Sequence, residues 1–201
     1  MLVDFTQISP REAYPWLISA IIPRPIAWVS TISAGGATNL APFSFFQGIC
    51  ANPPTLMFSV LNDRTGRKKD STVNIEQVPE FVVNLVPYAL REPMNLSSTA
   101  LPHGESEFDR FSIATAPSTH VRPPRVAQSP VSFECKLARL VQIGEGPLAG
   151  NAFFGTVLCA HVNEAVLTDG AIDPRKLDTI GRMGGEAYSR TTDLFTLPRP
   201  A

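Results

Sequence analysis

The clearest alternation of apolar and polar positions in the chain is "VSFECKLARL", where Val131, Phe133, Cys135 and Leu137 interleave with Ser132, Glu134, Lys136 and Ala138. A period of two is that of a strand with one buried and one wet face. "NAFFGTVLCAHVNEAVL" follows as its mate, and the intervening "GEGPLAGN" supplies the glycines and proline of a hairpin turn. Earlier, "PIAWVSTI" (Pro25 to Ile32) is β-branched and aromatic and ends at "SAGGATN", where Gly35 and Gly36 offer the positive φ of a turn. "NLAPFSFFQGIC" (Asn39 to Cys50) reads as the returning strand, "ANPP" breaks it, and "TLMFSVL" (Thr55 to Leu61) resumes. Three strands in such close succession predict an antiparallel meander rather than a crossover.

After the polar loop "NDRTGRKK", the segment "DSTVNIEQV" predicts a brief helix with Asp70 and Ser71 as N-cap candidates and apolar positions at Val73, Ile75 and Val78. "EFVVNLV" (Glu80 to Val86) is a further strand, while "LREPMNLSSTA" and "GESEFDRF" read as short helices or turns in a Pro-rich connection. The expected architecture is mainly β, an antiparallel closed or split β-barrel of about six strands, with short helices in the connections and at the C-terminus. The βαβ alternation of a dinucleotide-binding domain is absent. A length of 201 residues predicts one domain over 1–201.

Composition narrows the partners. With 44% hydrophobic and 17% charged residues, net charge -1 and pI near 6.3, the chain is expected to be globular and soluble. It lacks the basic excess that nucleic acid binding needs. The N-terminus shows no positive segment leading into an apolar core, and no apolar run approaches the roughly 18 residues that span a bilayer. A cytoplasmic protein without a membrane partner is the expectation. Cys50, Cys135 and Cys159 form no CxxC pair and are expected to be reduced, buried small hydrophobes. His103, His120 and His161 stand far apart without HxxxH spacing, so no metal site is expected. No GxSxG elbow, Cys/His pair or carboxylate pair suggests a catalytic side chain.

Two stretches leave questions open. Arg64, Arg67, Lys68 and Lys69 crowd the start of the predicted helix, whose first free N–H groups would be those of Ser71 to Val73. Such a mouth can hold a phosphate monoester, or it can be a solvated basic loop with Asp70 offsetting the lysines. "TGRKKDST" itself lacks the second glycine of a nucleotide triphosphatase loop, and "GEGPLAGN" has GxGxxxG spacing rather than that of a dinucleotide fingerprint. In "NLAPFSFFQGIC", Asn39, Ser44 and Gln47 interrupt an apolar run and Pro42 cannot donate to a ladder; a polar group buried there needs a partner.

Taken in order, "PRPIAWVSTIS", "NLAPFSFFQGICANPPTLMFSV", "KDSTVNI", "FVVNLV", "SPVSFECKL" and "GRMGGEAYSR" resemble the flavin reductase-like proteins with an FMN-binding split barrel, over nearly the whole chain. The resemblance implies an FMN-binding homodimer that passes electrons between NAD(P)H, a transient co-substrate, and flavin or a downstream small-molecule acceptor. A non-catalytic FMN-holding electron carrier of flavoredoxin type and an apo β-barrel interaction module are the alternatives. By the same resemblance Ser30, Thr31, Asn39, Ala41 and Ser44 face the flavin, with Ser59 on the third strand in the same region. Lys69, Asp70 (through its backbone N–H) and Ser71 match the phosphate turn. Arg182 and Tyr188 come near the cofactor, where Gly184 and Gly185 permit a close backbone approach. Strand alternation sets Phe43 and Phe45 opposite Ser44 and Phe46, as core residues, unless a bulge at Pro42 resets the register. The residues alone leave Ser59 equally readable as a serine bonded to its own backbone, and the "GRMGGEAY" segment as a surface turn.

Overall fold

A computed structural model describes residues 1–200; Ala201 lies outside them. The first half contains α1 (Pro10–Ala20), β1 (Arg24–Pro25), β2 (Ala27–Ile32), β3 (Thr38–Phe43), β4 (Phe46–Ala51), β5 (Pro54–Leu61), α2 (Asp70–Gln77), β6 (Glu80–Asn84) and α3 (Arg91–Leu96). The second contains α4 (Glu107–Arg110), β7 (Thr115–Ala116), β8 (Arg125–Val126), β9 (Val131–Ile143), β10 (Gly150–Val162), β11 (Leu167–Thr168), β12 (Ala171–Ile172), α5 (Pro174–Leu177), β13 (Ile180–Arg182) and β14 (Tyr188–Arg190). No helix among the described residues is long and apolar enough to cross a membrane.

Seven strands form one antiparallel sheet in the order β3-β2-β6-β9-β10-β5-β4. The predicted single strand Asn39–Cys50 is therefore two. Ser44 and Phe45 bend the chain, so β3 pairs with β2 at one edge of the ladder while β4 pairs with β5 at the other. Two edge strands joined by two residues can coexist only if the sheet curls until its edges meet, which makes the sheet a split barrel. The β4–β5 ladder runs on into the bend, where the Ser59 N–H donates to the Phe45 carbonyl at 2.8 Å. The bend also breaks strict alternation: Phe43 is core, but Phe45 leaves it to meet Tyr14 of α1 edge-on at 6.5 Å, and Phe46 packs on the core instead.

The barrel interior is filled by one cluster, with Phe58 at its centre, stacked on Phe43 and Phe153 at 5.7 and 5.3 Å and edge-on to Phe81 at 5.2 Å. Burying each such ring contributes about 1.5–3 kcal/mol. β10 makes room with Gly155, where a Cβ would stand 2.3 Å from the Phe81 ring. A second cluster lies outside the barrel, where Ile26, Trp28 and Leu40 meet Leu90, Met94 and Phe108 from the helical connection. β2 thus has both faces covered, which is why its sequence reads as apolar almost throughout.

Several local expectations change. Of the pair Gly35 and Gly36 only Gly36 has positive φ, at 91°. α2 begins with Lys69 as N-cap and no side-chain cap, placing Asp70 and Ser71 inside its first turn. Ser132 and Glu134 are buried rather than wet: the Ser132 hydroxyl donates to Asn84 Oδ1 of β6, and the Thr119 and His120 N–H groups, from the segment before β8, cover Glu134. Cys50 is exposed. α1, absent from the sequence-based expectation, is opened by a Ser9–Glu12 capping box with Pro10 in the first turn.

Candidate functional site

The two ends of β3 each carry a polar cluster. At the Asn39 end, Thr31 and Asn39 are cross-strand partners whose side chains share the face toward α2. The Asn39 amide donates to Ser71 Oγ at 3.0 Å and the Asn74 amide donates to Thr31 Oγ1 at 3.0 Å, all four residues being buried. α2 buries Ser71, Thr72 and Asn74 beside Ile75, so it docks on the strands through hydrogen bonds as much as through apolar area. These bonds fix its N-terminus, where the Thr72 and Val73 N–H groups donate back to the Lys69 carbonyl and those of Asp70 and Ser71 have no backbone acceptor. Free N–H groups at a helix start favour an anion.

Lys69 and Asp70 flank that opening. Lys69 has surface open to solvent, yet it stands close enough to packed chain that burial lowers its pKa, against a weaker upward pull from Asp63. Asp63 itself caps the preceding turn, accepting from the Thr65 hydroxyl and from the Thr65 and Arg67 N–H groups, which holds it near 2. The Asp70 carboxylate lies 2.9 Å from His103 Nδ1, and both line a small recess with Asn39 and Asn74. Sequence reasoning assigns neither His103 nor Asn74 to this cluster; their sequence distance from Asn39 gives no local signal. Glu107 closes the outer edge of β3 by accepting the Leu40 N–H at 2.8 Å, and its burial pushes its pKa up.

At the other end, Ser44 in the bend accepts from Arg24 Nε at 3.2 Å. Arg24 is buried and ties three elements together, its remaining nitrogens donating to the carbonyls of Ile18, Ile21 and Met183. Ser44 lines a recess of about 200 Å³ with Ile26, Pro42, Asn95, Arg182 and Tyr188. The Arg182 guanidinium stacks over the Tyr188 ring at 4.5 Å and donates to the Gly185 carbonyl, while the Tyr188 hydroxyl donates to Asn95 Oδ1 at 3.3 Å. Gly184 does permit a close approach, but to α1: a Cβ there would stand 2.7 Å from Ser19 Oγ.

The structure thus brings Thr31, Asn39, Lys69, Asp70 and Ser71 into one cluster and Ser44, Arg182 and Tyr188 into another. Ala41 lies between them on β3, half-buried against the core. Ser30 joins neither cluster, since adjacent strand residues point to opposite faces and its hydroxyl donates to the Pro124 carbonyl at 2.5 Å. Ser59 is half-buried on β5, its hydroxyl turned toward Gly150.

The flavin reductase like domain matches residues 19–178. The chain belongs to the flavin reductase-like family. Among family relatives, the uncharacterized protein YwrF of Bacillus subtilis is 37% identical over 97% of this chain and 97% of its own length. Of solved structures, nitrilotriacetate monooxygenase component B from Bacillus cereus is 30% identical, covers 98% of each chain and superposes with a TM-score of 0.93. The 2-nitrobenzoate 2-nitroreductase NbaA of Pseudomonas fluorescens is 27% identical, covers 100% of this chain and 96% of its own, with a TM-score of 0.89. In this flavin reductase-like split barrel both polar clusters flank the strand that the sequence singled out for its interrupted apolar run.

Proposed function

We propose that this flavin reductase-like chain binds FMN and passes electrons from NAD(P)H through it to a small-molecule acceptor. The observation that carries the reading is the anchored start of α2, where two free N–H groups stand beside Lys69 in a cluster locked by the Asn39–Ser71 bond. That donor set suits a phosphate monoester. The recess by Ser44, Arg182 and Tyr188 offers hydroxyl, cationic and aromatic surface, which suits a flat ring with a polar edge. Bound FMN supplies the hydride-accepting chemistry. The protein holds the phosphate, orients the ring edge with hydroxyl and amide groups, and keeps that edge beside apolar walls; no side-chain acid or base is required of it.

The neighbours' names, a monooxygenase component and a nitroreductase, support redox chemistry for the same scaffold. A second reading is an FMN-holding electron carrier; because the turn "GEGPLAGN" only joins β9 to β10, nicotinamide in the first reading stacks transiently over the flavin rather than occupying a dinucleotide crevice. The purified protein's spectrum, with the released flavin identified, tests the cofactor. Colourless protein that FMN does not stabilise against heat defeats both readings. Anaerobic addition of NADH or NADPH then separates them: bleaching of the flavin supports the reductase, and its absence the carrier.

We also propose a two-fold homodimer. α1 has no buried residue and leaves Trp16, Leu17 and Ile21 at 45%, 44% and 57% exposure, apolar surface of the kind that a second copy covers. Light scattering should give about twice the 21.8 kDa chain mass; a monomer that still holds FMN removes the dimer from the account.

A further inference from the structure

We propose that Glu134, Cys159 and His161 form a binding site for a zinc-class divalent cation, independent of the flavin site. The three come together through a fault in the β9–β10 ladder. Val157 pairs with Cys135 and the next pair is Cys159 with Glu134, so Leu158 is an extra residue on β10. A bulge of this kind re-aims the side chains that follow it. Here it sets Cys159 directly across from Glu134 and His161 two residues on, which for a strand is the same face.

The donor atoms converge within 4.8 Å of one another. His161 Nε2 lies 2.5 Å from Glu134 Oε1 and 3.9 Å from Cys159 Sγ. Zinc takes imidazole and carboxylate ligands at about 2.0–2.2 Å and thiolate at about 2.3 Å, so a tetrahedral ion needs N and S about 3.5 Å apart and N and O about 3.3 Å apart. The sulfur is already near its required distance from the imidazole nitrogen, and the His161–Glu134 contact must open by less than about 1 Å. Three ligands of mixed N, O and S type with a fourth position open are a zinc-like set rather than one for magnesium or calcium. His161 is 28% exposed while Glu134 is fully buried, so an ion has a way in and a protected carboxylate to meet.

The outer shell is also built. The Thr119 and His120 N–H groups donate to the two Glu134 oxygens at 2.7 and 2.6 Å, which fixes the carboxylate's direction as second-shell donors do for metal ligands. Burial pushes the Glu134 pKa up, but those bonds and His161 outweigh it and keep the carboxyl below its ordinary range. Burial and Glu134 push the Cys159 thiol up, with Arg125 opposing them. Without a cation the thiol is therefore protonated and a poor nucleophile. Binding releases that proton to solvent and leaves thiolate and carboxylate to balance the ion beside Arg125, whose Nε is committed to the Pro117 carbonyl.

The test uses the full chain carrying Cys50→Ser, because Cys50 is an exposed thiol that could bind cobalt on its own. Cobalt(II) titration should load one ion per chain, with a sulfur-to-cobalt band in the near ultraviolet and the strong visible bands of a tetrahedral ion. Adding Cys159→Ser should remove the sulfur band, and adding His161→Gln should weaken zinc, measured against a chromophoric chelator, by at least about tenfold. Circular dichroism on each variant keeps loss of folding apart from loss of a ligand. A folded Cys50→Ser protein that gives no sulfur band at saturating cobalt, or a band that survives Cys159→Ser, overturns the proposal.

Discussion

The two ends of β3 solve the same problem with different materials. At the Asn39 end the polar groups are buried and bonded to one another across elements far apart in sequence. At the Ser44 end, beyond the buried Arg24 that holds Ser44, the recess is lined by an arginine on a tyrosine and a long hydroxyl–amide bond, with Tyr188 38% exposed. A buried network has one arrangement and resists change, whereas exposed cation–π contacts are worth only about 0.5–1 kcal/mol and can be remade around different occupants. The first end is built to hold a constant part of a ligand, and the second to admit a variable one.

Asn39→Ala should do most to break that contrast. It leaves the Ser71 hydroxyl buried without its donor, at a cost of about 1–3 kcal/mol, and frees the start of α2. Thermal melts should fall and FMN affinity with them, together with a shifted flavin potential. Unchanged melting would mean that the buried bond does not fix the site. Lys69→Ala comes next: charge-assisted phosphate bonds contribute about 1.5–3 kcal/mol, so FMN should bind roughly tenfold or more weakly while riboflavin is nearly unaffected. Equal losses for the two flavins would remove Lys69 from the phosphate end.

His103→Gln sharpens the distinction between holding and catalysis. With FMN occupancy matched, stopped-flow flavin reduction should stay within about tenfold of the parent, short of the roughly 10²–10⁴ lost with a general acid. A thousandfold slower variant with its flavin in place would make His103 part of the chemistry.

Glu107→Gln probes the burial itself. The carboxyl's folded pKa lies above its ordinary 4.5, so below that value both states are protonated and the residue is neutral in effect. As pH rises through 4.5 toward the folded value, the native state is penalised for ionising. The Gln variant, which can still accept from Leu40, should therefore match the parent in acid and out-melt it increasingly toward neutral pH. A gap independent of pH would show that the charge is not the cause. The smallest effect is expected at the variable end, where Arg182→Lys should change FMN affinity by under about 1 kcal/mol.

Much of the barrel was legible because strand alternation and turn residues are local signals. What was not legible depended on which strands meet. Nothing in "NLAPFSFFQGIC" says that its halves lie on opposite sheet edges, and the wet-face assignment of Glu134 failed because its cover comes from Thr119 and His120. The pairing of Asn39 with Ser71 has no sequence signature, although both residues were singled out separately. Other misses had signals in plain view: "SPRE" is a capping box, and Ser30 and Thr31, being adjacent in a strand, cannot share a face. Arg24 between two prolines gave no hint of its reach to α1, the bend and the β13–β14 turn.

The two-residue bend at Ser44 and Phe45 also bears on how the chain folds. Because β3, β4 and β5 follow one another, pairing the bend and β4 with β5 closes a short loop, and the entropy of such a closure is small. The demanding contact in the sheet is between β5 and β10, whose partners stand farther apart in sequence than those of β6 and β9. We expect the β4–β5 pairing to form early from neighbouring chain, with the rate of folding set by the later docking of the β9–β10 hairpin, and the Ser44 recess to be complete only when Arg182 and Tyr188 arrive from β13 and β14.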